Sequence, residues 1–262
     1  MNTPKAIFID LDGTLLNSKT KQIPASAAAA LHLAHQRGIL LFVATGRHSA
    51  EFERIDDLKQ LPLDGFVTLN GAHCYVGDKT IFKNPLDKAL VKTVVDYMEH
   101  TPFPCIFCEE DQLYISMVNS YVEQEQKRLN VPIPPICDPR RALAPDVDVL
   151  QLVAFTTPEI EGFLRGLPNA KITQWTENGF DVGNASTNKW AGVLHMLKHF
   201  GIAPEEAAAI GDAENDMEML ANAGFSVAMG NAGYDVKKCA GFVAPHVDDD
   251  GFAKAIEHLM NL

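Results

Sequence analysis

Five short apolar segments of the chain end in a polar residue, and most of these residues stand beside a glycine. The segments are KAIFID ending at Asp10, GILLFVAT ending at Thr45, GFVTLN ending at Asn70, AAAIGD ending at Asp212 and FSVAMGN ending at Asn231. Apolar runs that alternate with amphipathic helical stretches predict a parallel sheet with helices on both faces. The carboxyl ends of such strands lie along one edge of the sheet, where ligands bind. We therefore expect the five endings to share one polar site.

The middle of the chain interrupts this alternation. Polar, hairpin-like turns such as EEDQ and TENG separate short strands there, which favours a mostly antiparallel sheet. The predicted strands lie near 105–108, 113–118, 149–156, 170–175 and 179–183, with helices near 86–100 and 119–130. The predicted fold class is therefore α/β, with a discontinuous parallel-sheet core over 1–80 and 185–262 and an inserted α+β domain over 81–184.

The charge balance excludes several classes of partner. The chain has 34 acidic and 22 basic residues, a formal net charge of −12, which disfavours binding to nucleic acid or to an anionic membrane.

Its longest apolar stretches reach about ten residues, too short to span a bilayer, and its beginning does not resemble a signal peptide. The five cysteines are scattered and odd in number, which favours reduced thiols. We expect a cytoplasmic protein that binds any anionic ligand through a local group of residues or a metal ion, because its net charge is negative.

Two aspartates, Asp10 and Asp12, follow the first strand one residue apart. Two carboxylates this close repel each other by several kcal/mol when they are desolvated, so the site needs a compensating positive charge. Mg²⁺ is the economical choice, because it takes oxygen ligands from one or two carboxylates, water and a substrate phosphate. Asp212, at the end of another strand, offers a third carboxylate, and Asp216 is a candidate partner in the outer shell of the metal.

These residues suggest a phosphoryl-transfer reaction. Asp10 would attack phosphorus and form an aspartyl-phosphate, while Asp12 would protonate the leaving oxygen and then activate water. Lys189 and the metal would neutralise charge on the transferring oxygens, and Thr45 offers a hydroxyl. Structural interpretations stay open for single residues: Thr45 and Asp212 could cap helices, and Lys189 could be an ordinary exposed lysine.

Four segments together resemble, in order, the motifs of the haloacid dehalogenase superfamily. They are DLDGTLL at 10–16, ATGR at 44–47, Lys189, and GDAENDM at 211–217. The long insert and the LNGA at 69–72 resemble its Cof-type subgroup of sugar-phosphate phosphatases. The resemblance covers nearly the whole chain and implies a Rossmann-like core, with the insert as a cap over the site.

The resemblance also implies roles for individual residues. Asp10, Asp212 and the main-chain carbonyl of Asp12 would bind Mg²⁺. The phosphate-binding residues would be Thr45, Gly46, Lys189 and Asn215, and Asp216 would support the lysine or metal from the second shell. The chain departs from the subgroup's usual Ser-Lys-Gly, since Asn188 precedes the lysine and Trp190 follows it.

The expected function is Mg²⁺-dependent hydrolysis of small phosphorylated metabolites, with sugar phosphates favoured by the resemblance. A phosphatase of a phosphorylated cofactor, such as a flavin or pyridoxal phosphate, and a phosphomutase remain alternatives. A phospho-accepting signalling domain would be about half as long and would not need the insert. The sequence leaves open the substrate, the oligomeric state and the roles of Arg47, which could bind phosphate or pair with the cap, and of Asn70.

Overall fold

The computed structural model describes residues 3–261. The elements up to residue 83 are β1 (Ala6–Ile9), α1 (Ala25–Gln36), β2 (Leu40–Ala44), β3 (Gly65–Thr68), β4 (His73–Val76) and β5 (Lys79–Lys83). The middle of the chain contains α2 (Lys88–His100), β6 (Cys105–Cys108), β7 (Leu113–Ile115), α3 (Ser120–Leu129), β8 (Gln151–Phe155), α4 (Pro158–Arg165), β9 (Ala170–Thr176) and β10 (Gly179–Asn184). The last part contains α5 (Lys189–Phe200), β11 (Ala207–Gly211), α6 (Met217–Asn222), β12 (Phe225–Ala228), α7 (Tyr234–Lys238), β13 (Phe242–Val243) and α8 (Gly251–Met260).

An eight-stranded sheet has the order β13-β12-β11-β1-β2-β3-β4-β5. The strands from β13 to β3 run parallel, and β4 pairs with β3 in the antiparallel sense. The chain proceeds from β1 towards β2 and β3 on one side and returns later through β11 and β12 on the other. The point at which the strand order reverses therefore lies between β1 and β11. The predicted α/β class with a parallel sheet is confirmed.

A five-stranded sheet has the order β7-β6-β8-β10-β9, and all its neighbours are antiparallel. Helices α2 and α4 share a buried apolar core with it. At this core the rings of Tyr97 and Phe163 stack at 3.7 Å between centroids, and those of Phe107 and Tyr114 stack at 5.1 Å. The antiparallel pairing predicted for the insert is present, whereas helix α4 was not predicted.

The chain divides into two compact units. The first consists of the chain up to Arg47, Ile55–Phe82 and the chain from Asn188 onward, and the second of His48–Arg54 and Lys83–Thr187. The second unit thus includes a short segment at 48–54 that the sequence analysis assigned to the core. The two units are called the first and the second unit below.

The first strand is apolar throughout because both of its faces are covered. All four residues of β1 are buried, and the ring of Phe8 stacks on that of Phe42 in β2 at 4.8 Å between centroids. A strand covered on both faces has no solvated side for a charge, so polar residues can begin only where the strand ends. Asp10 occupies that position.

Helix α5 has a sequence signal at each of its ends. The Asn188 side chain accepts a hydrogen bond from the backbone N–H of Ala191 at 2.8 Å, so this asparagine caps the helix. Gly201 ends the helix in the left-handed conformation, with φ of 67°. The cap makes Lys189 the first residue of the helix. Among the residues that the structure describes, no helix is long and apolar enough to cross a membrane.

Candidate active site

The first unit brings three of the predicted strand ends to neighbouring positions. Ile9 of β1 is in register with Ile210 of β11, and the backbone N–H of Asp10 donates to the carbonyl of Ile210 at 3.0 Å. Asp10 and Asp212 therefore follow two adjacent strands at the point where the strand order reverses, which is the usual ligand site in an open α/β sheet. Thr45 follows β2 on the other side of β1, and its buried backbone N–H donates to the carbonyl of Val67 at 2.8 Å.

Lys189 lies at the centre of a buried charge cluster. Its Nζ donates to Oδ1 of Asp10 and to Oδ1 of Asp216, both at 2.6 Å. The side chains of Lys189 and Asp216 are fully buried, and that of Asp10 is 7% exposed. The interpretation of Lys189 as an exposed helix lysine is therefore wrong. Oδ2 of Asp10 accepts no hydrogen bond from the part of the chain that the structure describes, so this oxygen is available to a ligand.

The carboxylate of Asp216 is held entirely by the protein. Oδ1 accepts a hydrogen bond from Nζ of Lys189, and Oδ2 accepts hydrogen bonds from the backbone N–H groups of Asp212 and Ala213 at 2.9 and 3.0 Å. A 3₁₀ turn at Glu214–Asp216 folds this side chain back onto the end of β11. Asp216 thus fixes both Lys189 and the backbone that carries Asp212, as a supporting residue would.

The pKa values of the cluster follow from burial and from mutual repulsion. Burial raises the pKa of Asp10 well above its usual value, and Asp216 and Asp212 raise it further against the opposing effect of Lys189. Burial, followed by repulsion from Asp216, raises the pKa of Asp212 to about 6. Burial alone would lower the pKa of Lys189, but attraction to Asp10 and Asp216 outweighs it and the pKa is raised. The cluster therefore holds too little positive charge for its carboxylates.

The donor set fits a hard divalent cation. Oxygens of Asp10, Asp212 and Asp216 lie within 4.8 Å of one another. When all are ionised, three carboxylates face the single ammonium of Lys189, which leaves an excess of two negative charges. Carboxylate oxygens at this spacing suit Mg²⁺. Asp216 accepts three hydrogen bonds, one of them from the Lys189 ammonium, whereas each Asp212 oxygen accepts one and Oδ2 of Asp10 accepts none from the described residues. Asp10 and Asp212 are therefore the better ligands.

The side chain of Asp12 lies outside this cluster and forms an ion pair with Arg47. Nε and an Nη of Arg47 donate to the two carboxylate oxygens of Asp12, each at 2.6 Å. The pair is partly exposed, at 11% for Arg47 and 39% for Asp12. Neither role considered for Arg47 from sequence, phosphate binding or pairing with the insert, included this contact. Arg47 orients the carboxylate that the sequence analysis assigned to proton transfer.

Asn70 occupies a turn that joins several predicted site segments. Leu69, Asn70 and Gly71 all have positive φ, of 51°, 55° and 97°, a conformation that costs energy in a residue such as leucine. The Asn70 side chain accepts a hydrogen bond from Nδ2 of Asn215 at 2.9 Å, and its backbone N–H donates to the Thr45 carbonyl at 3.0 Å. Asn70 therefore both adopts the turn conformation and contacts the side chain of Asn215, a predicted phosphate-binding residue.

Gly46 and Gly71 allow close approach at this turn. A side chain on Gly46 would come within 3.1 Å of Oδ1 of Asn70, and one on Gly71 would lie 2.1 Å from the carbonyl oxygen of Asn188. The turn consequently lies against both the residue that follows Thr45 and the residue that precedes Lys189. Asn70 thereby links the segments of three predicted phosphate-binding residues: Thr45, Lys189 and Asn215.

Thr14 was not assigned to the site from sequence, and Asn231 was expected there only as one of the five strand endings, with no role given. The hydroxyl of Thr14 donates to Oδ1 of Asp212 at 3.0 Å, and Nδ2 of Asn231 donates to Oδ2 of Asp212 at 2.9 Å. Thr14 is part of the DLDGTLL segment, and Asn231 was noticed as a strand end. These two positions in the sequence could have pointed to the site. The contacts of both residues with Asp212 could not be predicted, because they depend on the fold.

The chain is similar along nearly its whole length to known proteins. Residues 7–256 match the family model of haloacid dehalogenase-like hydrolases. The solved structure of the HAD subclass IIB sugar phosphatase BT4131 is 36% identical, covers 97% of this chain and 98% of its own, and superposes with a TM-score of 0.86. The Bacillus subtilis protein YkrA is 28% identical over 97% of both chains. The Bacillus subtilis 5-amino-6-(5-phospho-D-ribitylamino)uracil phosphatase YwtE is 27% identical over 98% of both.

The chain belongs to the haloacid dehalogenase-like hydrolase family, because the family model spans nearly all of it. Within that family it is a phosphatase of the predicted Cof-type subgroup, which its full-length similarity to phosphatases confirms. The chain spans only 45% and 54% of two longer curated relatives that it also matches.

Proposed function

We propose that the protein is a Mg²⁺-dependent phosphatase that hydrolyses small phosphorylated metabolites of the sugar-phosphate class through an aspartyl-phosphate on Asp10. The buried contact of Lys189 with Asp10 carries this proposal. It orients one carboxylate oxygen of Asp10 and leaves the other without a hydrogen bond from the described residues. An oriented carboxylate beside a fixed cation is what nucleophilic attack on a phosphate ester requires.

In the first step, Oδ2 of Asp10 attacks phosphorus and the bond from phosphorus to the ester oxygen breaks. The carboxyl group of Asp12 gives its proton to the departing alcohol. In the second step, the Asp12 carboxylate takes a proton from water, whose oxygen attacks phosphorus and releases Asp10 and inorganic phosphate. The proton that Asp12 loses in the first step is regained from water in the second step.

The remaining residues bind and orient the phosphoryl group. Lys189 stabilises negative charge on it, while Thr45, Gly46 and Asn215 would bind its oxygens. Asp10 and Asp212, with the main-chain carbonyl of Asp12, would hold Mg²⁺, which supplies positive charge to the transferring group when bound. Asp216 holds Lys189 in place. We assign substrate selection to the predicted cap over 81–184, as the family resemblance implies.

A second candidate substrate class is a phosphorylated cofactor or a related heterocycle. The relative YwtE favours it, because that protein is named for a phosphorylated ribitylaminouracil. A phosphomutase stays the third possibility, since it would share the nucleophile and the acid.

A screen of metabolite phosphates with Mg²⁺ tests the proposal. The panel contains hexose and pentose phosphates, pyridoxal phosphate, flavin mononucleotide and an aryl phosphate, with release of inorganic phosphate as the readout. We expect hydrolysis that a chelator abolishes, and a phosphoryl group on Asp10 in acid-quenched protein analysed by mass spectrometry. Isomerised substrate without phosphate release would instead indicate a mutase.

Asp10→Asn is the decisive variant. We expect it to lower turnover on the order of 10⁴-fold or more, since it removes the nucleophile. Asp235→Asn is the matched control, because the Asp235 side chain is 81% exposed in α7 and should leave turnover unchanged. Mg²⁺-dependent turnover near the normal rate in Asp10→Asn would overturn the nucleophile assignment.

A further inference from the structure

The side chain of Asn231 joins three separate segments of the first unit. Its Nδ2 donates to the backbone carbonyl of Gly13 at 2.8 Å and to Oδ2 of Asp212 at 2.9 Å. Its Oδ1 accepts the backbone N–H of Val247 at 3.1 Å. Asn231 thus connects the loop after β1, the end of β11 and the turn before α8.

These three partners determine the orientation of the Asn231 amide. An asparagine amide has two N–H donors on nitrogen and two lone pairs on oxygen. Here both donors are used by oxygens, and the amide oxygen faces an N–H group. A rotated amide would place oxygen against two oxygens and nitrogen against a donor, so only one orientation satisfies the contacts.

The Asp212 carboxylate is held from several sides. Its Oδ2 accepts a hydrogen bond from Asn231, and its Oδ1 accepts one from the hydroxyl of the fully buried Thr14. Gly13, with φ of 84°, leaves room for it, because a side chain at that position would lie 2.3 Å from Oδ2 of Asp212. The carboxylate can rotate only by breaking these contacts.

We propose that Asn231 is a positioning residue that presents the Asp212 carboxylate to the divalent metal ion. This inference rests on the metal site of the proposed function. Each Asp212 oxygen has a second lone pair for a metal while it accepts its hydrogen bond. Fixing the ligand before binding removes the loss of rotational freedom that binding would otherwise incur. By holding Gly13 at the same time, Asn231 also fixes the segment that carries Asp12.

The test measures metal binding directly on metal-free protein. Mg²⁺ is titrated into wild type and Asn231→Leu by calorimetry, since leucine has the same number of side-chain heavy atoms and no hydrogen-bonding group. We expect the dissociation constant to rise about 10- to 100-fold, the usual effect of losing an outer-shell partner. We also expect kcat to recover to within a few-fold of wild type at saturating Mg²⁺.

A control separates this role from general stability. Asn222→Leu changes an exposed asparagine whose Nδ2 donates, among the described residues, only to the nearby Glu218 carbonyl at 2.7 Å. It should leave the Mg²⁺ dissociation constant unchanged. An unchanged constant in folded Asn231→Leu would overturn the inference, as would an equal rise in Asn222→Leu.

Thr14 provides a second variant pair should Asn231→Leu fail to fold. Thr14→Val removes the other donor to Asp212 and should weaken Mg²⁺ binding, whereas Thr14→Ser keeps the hydroxyl and should bind normally. Equal affinity in these two variants would then overturn the inference that hydrogen bonds to Asp212 control metal affinity. If wild type itself binds no Mg²⁺, the metal assignment of the proposed function fails instead.

Discussion

The two units of the molecule differ in whether their described ion pairs bury a basic side chain. In the first unit, Lys189 and Asp216 form a fully buried ion pair, and Asp10 joins it with 7% exposure. In the second unit, the basic side chains of the described ion pairs are 40–68% exposed. Exposed pairs contribute little to stability, whereas buried charges have a high desolvation cost.

This difference shows where the chemistry lies. A buried ammonium among three carboxylates does not maximise stability, because an apolar cluster of similar volume is often as stable or more so. Such an arrangement is understandable if the charges act on a ligand. The second unit has an apolar core instead, and in its described part even the buried Glu109 pairs with a basic group at the surface, that of Arg141. It therefore shows no buried ammonium of this kind in that part.

The largest expected effect comes from Lys189→Met. It leaves Asp10 and Asp216 buried without their ammonium, so we expect the free energy of unfolding of metal-free protein to fall by about 3–5 kcal/mol. Denaturant titration measures this change, and phosphatase turnover should be lost as well. A fall no larger than that of a surface charge variant would contradict the comparison between the two units.

Asp12→Asn should affect turnover but hardly affect stability. Its ion pair with Arg47 is partly exposed, so its loss costs little folding energy. As the proposed general acid, Asp12 should contribute about 10²- to 10⁴-fold to kcat. The loss should be larger for an alkyl phosphate than for p-nitrophenyl phosphate, whose leaving group needs less protonation. Equal losses on both substrates would argue against proton transfer by Asp12.

The pH dependence of stability gives a smaller effect. Because the pKa of Asp212 is raised to about 6 in the folded protein, the folded state binds this proton more tightly than the unfolded chain does. The contribution of Asp212 to stability is therefore fully present below its unfolded pKa and is lost as pH rises through about 6. In chelator, the Tm of Asp212→Asn relative to wild type should be more favourable at about pH 7.5 than at about pH 4.5. A constant difference would contradict the raised pKa.

The smallest effect is expected for Arg140→Gln in the second unit. Arg140 pairs with Asp138 at 2.6 Å on the surface, where its side chain is 68% exposed. We expect neither the unfolding midpoint in denaturant nor turnover to change measurably, since solvent replaces the contact. This variant is the matched control for Lys189→Met, and a clear destabilisation would show that the second unit also depends on charge.

Much of the fold follows from local sequence. Strand ends at Asp10, Thr45 and Asp212, together with the helix that begins at Lys189, are recognisable because apolar runs stop at a polar residue or a cap. Helix α4 and the pair β4 and β5 were not predicted, since these elements have only four to eight residues, fewer than the window over which a helical pattern is recognised.

The side-chain contacts of the site were less accessible to sequence analysis. Arg47 is 35 residues from Asp12, and Asn231 is 218 residues from Gly13. Such contacts depend on sheet order and on the exact path of loops, for which no local pattern exists. The carboxylates Asp10, Asp12 and Asp212 were identified because their type and position point to one chemistry, whereas Gly46 and Asn215 were implied by the family resemblance.

The contact between Lys189 and Asp10 joins residues that are 179 positions apart. Ribosomes add about 5–20 residues per second, so Asp10 emerges roughly 10–40 s before its partner during synthesis. Until then the nascent polypeptide holds an acidic loop without its counterion. Phosphatase turnover could thus serve as a reporter for completed translation and folding in cells, because a partially made chain has no assembled centre.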